Sequence, residues 1–371
     1  MTEHASAQGL IPVIRFGALG DMIVTLPLLR CLRERHGRPC LVIGTGGWPE
    51  PVCRGNPDVG GVISLSRHLP APLDPAWWAA VAALRRYRSG PVYELCERPR
   101  AREAERLLAV GGVERQRRIS LRDELPRPGE HSIERMLRAG GCPADAPASA
   151  APHLAVLEPE RIARDRWLDA HGWRGRPLIL VQSGNRRTMS SKRHRHRRFN
   201  RDDKAWPNER WRQLLRGIHA RMPQAVLLLC GAPPEAAFIR EIQQAAALEC
   251  VAPAVLDLRS LFALCEVAHS MISIDTGPAH AAAALGVPLV VMFGSHSPAQ
   301  WLPRAAGTPV IGLGGPPERS RVDQLAVETV IESWWQMVQG LPAPIAGRRL
   351  EGAGLPRQVE GAHSAPGVGP T

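Results

Sequence analysis

Along this chain, short and nearly continuous apolar runs alternate with longer stretches in which apolar positions recur every three to four residues. The first kind reads as strands covered on both faces, the second as helices with one buried stripe. Together they are the pattern of βα units around a mostly parallel sheet. Residues 12–16 read as a buried strand, 17–20 as a tight turn, 21–35 as a helix and 39–43 as the next strand, one crossover unit. A second series follows, with 178–182, 225–230, 255–258, 271–274 and 289–293 as buried strands and helical segments between most of them. Helical spacing also marks 208–222 and 323–338. The class is α/β, in two Rossmann-like halves.

Between the halves, residues 140–159 are rich in Ala, Pro and Gly and lack sustained periodicity, so the boundary is expected there or in the following helix. A chain of 371 residues exceeds what one compact core usually supports. The expected organisation is a first domain over 1–158, a second over 159–340 and a cleft between them. Residues 341–371, dominated by Pro, Gly, Ala and Arg, are expected to be a disordered tail. The 44% hydrophobic content suits a globular protein. No run approaches the roughly 20 apolar residues that span a bilayer. Residues 1–9 include Glu3 and neither a basic cluster nor an apolar core, unlike a secretory signal, so the expected location is cytoplasmic.

Cysteine and charge change the picture in different ways. None of the eight cysteines forms a C-x-x-C pair, and all are expected to be reduced and mostly buried thiols. The net charge of +12 implies acidic partners without separating nucleotide phosphates, anionic lipid and nucleic acid. Arg and Lys concentrate over 186–201, where almost nothing could build a core, so an exposed loop is expected there.

Three places carry candidate chemistry. After the first strand the chain reads Arg15-Phe16-Gly17-Ala18-Leu19-Gly20-Asp21, a carboxylate at the carboxyl end of a strand, where open α/β sheets place their sites. The spacing is only G-x-x-G, and Asp21 would put negative charge where a dinucleotide's phosphates must sit. Two readings stay open: Asp21 caps the helix, or the glycines make room for a hydroxyl and Asp21 is its general base. Next, residues 271–274 run into Asp275-Thr276-Gly277-Pro278-Ala279-His280. Thr276 and the free amides of a helix start can cradle a diphosphate, and His280 can add a donor or simply sit at the surface. Asp-Thr-Gly is also an aspartic-protease triplet, but that chemistry needs two such carboxylates and this chain has one. Finally, Arg201-Asp202-Asp203-Lys204-Ala205-Trp206-Pro207 precedes a helix. Lys204 could neutralise a departing diphosphate, or the run could be solvated charge with Trp206 packed beneath.

In order and spacing these elements resemble the family 9 glycosyltransferases, the ADP-heptose:lipopolysaccharide heptosyltransferases, over about residues 11–335. Arg15 through Leu29 resembles the N-terminal signature. Asn56-Pro57-Asp58-Val59 with Val62-Ile63 is similar to an N-x-P-x-V-D-x-V-I element, and Lys204 with Trp206-Pro207 to K-x-W-P. The stretch from Asp275 to His280, continuing through Gly286, Phe293-Gly294 and Trp301-Leu302-Pro303, resembles the C-terminal signature and is the most specific.

The resemblance implies a GT-B architecture, two Rossmann-like domains facing across a cleft, with acceptor on the first and nucleotide sugar on the second. It implies an inverting transfer, with heptose from ADP-heptose as the expected donor group and a lipopolysaccharide core or related glycan as acceptor. It also implies no metal and no cofactor beyond the donor itself. Asp21 would be the base, with Arg15 and Gly20 on the acceptor side. Ser183, Gly184, Lys204, Thr276, Gly277 and His280 would hold the diphosphate, Glu235 the ribose and Asp275 the sugar. Two departures stand out: residues 185–200 look like a basic insertion, and Pro278 replaces a frequent Leu at a helix position that tolerates it. The insertion suggests docking to an acceptor or to an anionic membrane, peripherally on the inner face of the inner membrane. Transfer to a protein or another glycan is an alternative within the fold. A basic nucleic-acid binder is the alternative from another class, but no helix-turn-helix or aromatic RNP pattern supports it and no nucleic-acid partner is expected.

Overall fold

A computed structural model of the chain describes residues 9–88, 90–97, 100–143, 151–189 and 201–341. The tail from 342 and most of the basic insertion, 190–200, lie outside the described residues. The first sheet contains β1 (Ile11–Arg15), β2 (Cys40–Thr45), β3 (Val59–Leu65), β4 (Val92–Glu94) and β5 (Arg118–Ser120) in the order β3-β2-β1-β4-β5. The second contains β6 (Leu178–Gln182), β7 (Val226–Gly231), β8 (Val251–Val255), β9 (Ser270–Ile274), β10 (Leu289–Phe293) and β11 (Val310–Gly314) in the order β11-β10-β9-β6-β7-β8. Pairings within both are parallel, with registers such as Ile11 against Cys40 and Leu178 against Val226. Each sheet therefore starts in its middle and winds outward both ways, so the strand order reverses between β1 and β4 and again between β6 and β9. Those are the crevices in which doubly wound sheets bind ligands. The GT-B arrangement expected from the motifs is the observed one.

Local departures from the expected elements have simple causes. The helix expected over 21–35 is two, Leu19–Ile23 and Leu26–His36, because Pro27 at the start of the second has no N–H to give back to the first. The strand expected over 255–258 ends where it was expected to begin. Asp257 accepts the Ser260 N–H at 2.8 Å and caps helix Leu258–Cys265, while β8 is an edge strand carrying Pro253. One expectation is wrong in kind: Cys31 and Cys142 form a disulfide across 111 residues of sequence. Cys31 lies on helix Leu26–His36, and Cys142 just follows helix Ser132–Ala139, which packs beside it. Close sequence spacing is no requirement once the fold brings two helices together. Cys40, Cys53, Cys96, Cys230 and Cys265 are buried free thiols, as expected, and Cys250 is half-buried.

The two halves share apolar contact as well as polar straps. One core cluster runs from Val13 and Met22 through Ala279 and Ala281 to Leu180 and Val291. Arg259, itself buried, reaches Glu160 at 2.7 Å and the carbonyls of Pro51 and Ala155 at 2.9 and 2.8 Å. Arg304 pairs with Glu134, and one turn away the buried His131 lies 2.9 Å from the Leu302 carbonyl. Its Nδ1 accepts the Ile133 N–H, so Nε2 carries the proton and donates to Leu302.

Burial, with Arg304 nearby, pushes the His131 imidazole down to about 4. The folded state thus holds His131 neutral below its ordinary value near 6.5, while the unfolded chain takes up a proton there. Stability is full above about 6.5 and falls as the pH drops toward about 4, by up to about 3 kcal/mol from this group. His131→Gln should remove that part of the pH dependence. The check is thermal unfolding of both proteins at pH 7.5 and 5, where an equal drop in both would assign the slope to other groups.

Candidate active site

Turns at carboxyl ends of strands build the site. After β1 the buried Arg15 donates to Asp21 at 2.8 Å and to the Leu95 carbonyl. The second Asp21 oxygen accepts the Ala18 N–H at 2.7 Å, so Asp21 folds back over the start of its own helix. Capping is therefore part of its role, yet the side chain keeps 29% of its exposure and remains open to the cleft. Gly17 is required because a side chain there would occupy the space of Asp21. Arg67 donates to the Gly17 carbonyl and lies over Trp48 at 5.8 Å.

After β6, Ser183 is buried and its hydroxyl has no hydrogen-bond partner among the described residues. Gly184 follows, and any Cβ there would collide with the carboxylate of Glu235 from the turn after β7. Glu235 is buried, accepts from Thr188 at 2.6 Å and from the Ala232 N–H at 3.0 Å, and burial raises its pKa.

Of the alternative in which the run 201–207 is solvated charge over a packed Trp206, half holds. Trp206 is buried, edge-on to Trp211 at 4.9 Å, but the aspartates are not solvated. Asp202 accepts from Asn185 at 3.0 Å, and Asp203 accepts from the Ser295 amide and hydroxyl at 2.9 and 2.7 Å. Burial pushes the Asp203 carboxyl up, but the Ser295 and Arg187 donors and the Lys204 charge outweigh it and bring it to about 2. The Asp203 backbone also passes so close to Gly294 that a Cβ there would stand 2.6 Å from its carbonyl oxygen. This clamp aims Lys204 at the turn after β9. Its Nζ donates to both the carboxylate and the carbonyl of Asp275 at 2.8 Å, and His296 adds a contact to the same carboxylate at 2.9 Å. Burial opposes ionisation of Asp275, yet His296 and Lys204 bring it down to about 2.

Helix Gly277–Ala284 starts immediately after Asp275 and Thr276. Thr276 does not cap it; its hydroxyl reaches the Ile274 carbonyl at 3.3 Å instead. A methyl group on Gly277 would stand 2.6 Å from Leu19 Cβ, and one on Gly20 would stand 3.0 Å from His280 Cδ2. The two glycine turns, one from each half, therefore touch. His280 is buried between them rather than exposed, and burial lowers its pKa against the pull of Asp275 and Asp21, so the ring is neutral at pH 7. Among the described residues no three His, Cys, Asp or Glu side chains converge as a metal ion would require.

The family model for glycosyltransferase family 9 (heptosyltransferase) matches residues 119–329. The chain belongs to glycosyltransferase family 9. Lipopolysaccharide heptosyltransferase 1 of Escherichia coli is 34% identical over 98 residues, 26% of this chain and 30% of the relative. Heptosyltransferase 3 of the same species is 32% identical over 106 residues, 27% and 30% of the two chains. The aligned stretch thus spans under a third of these curated relatives. Among solved structures, the family 9 glycosyltransferase of Veillonella parvula superposes with a TM-score of 0.68 at 18% identity, covering 90% of this chain and 98% of that one. E. coli ADP-heptose lps heptosyltransferase II gives 0.64 at 18%, over 89% and 99%.

Within this family 9 fold, the structure brings Lys204, Asp275 and His280 together in one half, and Arg15, Gly20 and Asp21 against them in the other. Ser183 and Gly184 lie beside them, with Gly184 against the Glu235 carboxylate. Asp21 and Arg15 lie outside the matched region, so their place in the site rests on geometry. His296, Thr188 and Arg67 also lie at the site but carry no signal singled out in the sequence. His296 follows Phe293-Gly294-Ser295 at a strand's carboxyl end, a signal that could have found it.

The Lys204 pair predicts a double-mutant result. Lys204→Met leaves a buried carboxylate with only His296 and should destabilise by about 1–3 kcal/mol. Lys204→Met with Asp275→Asn removes both charges and should recover much of that loss. Urea unfolding of the two singles and the double measures the coupling, and additive losses would mean that the pair is not formed in solution.

Proposed function

We propose that this chain is an inverting, metal-independent glycosyltransferase that moves heptose from ADP-heptose to a lipopolysaccharide core or a related glycan. The observation that carries the reading is the meeting of the Asp21 turn and the Asp275–His280 turn across a buried, neutral imidazole. A base on one half then faces an anion-friendly helix start on the other. Solved structures of E. coli heptosyltransferase WaaC with ADP and with ADP-2-deoxy-2-fluoro heptose favour an ADP-linked donor here.

In this reading the acceptor oxygen bonds to the anomeric carbon as the bond from that carbon to the ADP phosphate oxygen breaks. Asp21 takes the acceptor proton, and Arg15 fixes the carboxylate for it. ADP departs with the electron pair. Lys204 exchanges part of its contact with Asp275 for the diphosphate and stabilises the charge that develops. The Ser183 hydroxyl, unpartnered among the described residues, with Gly184, Thr276, Gly277 and His280, lines the diphosphate, Glu235 takes the ribose and Asp275 the sugar. No helix among the described residues is long and apolar enough to cross a membrane. A cytoplasmic enzyme working on an acceptor at the inner membrane fits this reading.

Asp21→Asn is the sharpest substitution. Both Asp21 oxygens accept hydrogen bonds, so the amide must turn its NH2 toward Arg15 or Ala18, and a small loss of stability is expected. ADP-heptose should still raise the melting temperature of the variant, while transfer in excess chelator falls by about 100-fold or more. Near-native turnover would leave Asp21 a cap and nothing else, and activity of the wild type that needs added magnesium would overturn the metal-independent mechanism.

A further inference from the structure

The segment between β3 and helix Pro75–Arg86 is tightly held yet turns its apolar side chains outward. The buried Asp74 accepts the Ser66 N–H at 2.7 Å and the Ala76 N–H at 3.0 Å, closing the segment at both ends. The Ser66 hydroxyl accepts the amides of His68 and Leu69, and the Trp78 indole donates to the Pro72 carbonyl at 3.1 Å. So fixed, Leu69, Leu73 and Trp78 keep 50%, 69% and 49% of their exposure. Holding such residues rigidly in water gains the fold nothing. The helix continues the surface with Ala79 and then Arg85 and Arg86, and Arg85 reaches the carbonyl of Val110, another exposed apolar residue.

Exposed charge on the segment itself has one sign. Between Ser66 and Arg88 the acidic residue is Asp74, which is buried and doubly bonded, while Arg85, Arg86 and Arg88 are exposed. On the adjoining helix Ala101–Val110, Glu103 pairs with Arg100 and Glu105 with Arg122. Apolar side chains with a basic margin are the composition of surfaces that settle into the headgroup region of anionic bilayers. The face also adjoins the site: Arg67, one residue from Ser66, donates to the Gly17 carbonyl and feels the charge of Asp21.

We propose that Leu69, Leu73 and Trp78, with Arg85 and Arg86, form a docking surface for an anionic membrane, oriented so that the Asp21 side of the cleft opens at the lipid. It rests on the transferase reading only for its purpose, since an acceptor carried on lipid must be met at the membrane. Binding to lipid can be measured without any acceptor.

The test is sedimentation with phosphatidylglycerol-containing vesicles, beside vesicles of phosphatidylcholine alone, at low and high salt. Wild-type protein should bind the anionic vesicles more tightly, with the difference screened by salt. Leu69→Glu with Leu73→Glu should cut that binding by about tenfold or more while the melting temperature holds. Brominated lipid should quench wild-type fluorescence more than that of Trp78→Phe, a variant that keeps the fold if the glutamates do not. Equal binding by the double variant, or equal quenching with and without Trp78, would overturn the proposal, as would a wild type that ignores anionic vesicles. Calorimetric titration of the same proteins with ADP-heptose reports on the transferase reading separately: failure there with intact vesicle binding would indict the function and spare the surface.

Discussion

Two turns pack directly on each other here, the backbone of Gly20 against the ring of His280 and that of Gly277 against the Leu19 side chain. A single methyl group on either glycine would crowd the contact. That constraint explains why glycine stands at both positions better than a need for amides free to bind ligand. It also sets the distance between the halves, and so the relation of Asp21 on one to Asp275 on the other. With His280 buried at the junction, burial keeps the imidazole neutral despite two carboxylates nearby. A neutral ring can donate from one nitrogen and accept at the other without adding charge to the crevice.

Around that contact the charged groups are stored in pairs. Lys204 and His296 hold Asp275, Arg15 holds Asp21, and Ser295 and Arg187 hold Asp203. Paired charges would suit a crevice that, under the proposed function, waits for a dianionic ligand, since partly buried single charges would be costly to keep. Glu235 follows the same logic with neutral partners, Thr188 and the Ala232 amide. A diphosphate would enter by exchanging one anionic partner of Lys204 for another, at little electrostatic cost.

Much of this was legible in the residues, and the exceptions have physical causes. Strands inside parallel sheets are covered on both faces, so β6 (LILVQ) and β10 (LVVMF) stand out as unbroken apolar runs. The edge strand β8 (VAPAV) carries a proline and half-exposed positions, and no such run marks it. Asp21 and Asp275 were visible because each lies in a compact motif at the end of a strand, and Lys204 because its motif leads into a helix. Their partners were not. His296 meets Lys204 from 92 residues away, and Cys31 meets Cys142 across 111, and no local pattern encodes a contact made only by the tertiary fold. His280 shows the same limit: a histidine at a helix start reads as a surface residue until the other half of the molecule covers it.

If the contact between the halves builds the site, a change on the first half must be felt by a donor bound on the second. Calorimetric titration of Gly20→Leu with ADP-heptose measures this directly. Gly20 lies in a helix without left-handed backbone, so leucine strains no dihedral and acts through its contact with His280 and the Gly277 backbone. Donor affinity should fall by about tenfold or more, with transfer lost and unfolding still cooperative. Donor binding and turnover unchanged from the wild type would show that the two halves do not meet in solution as they do here.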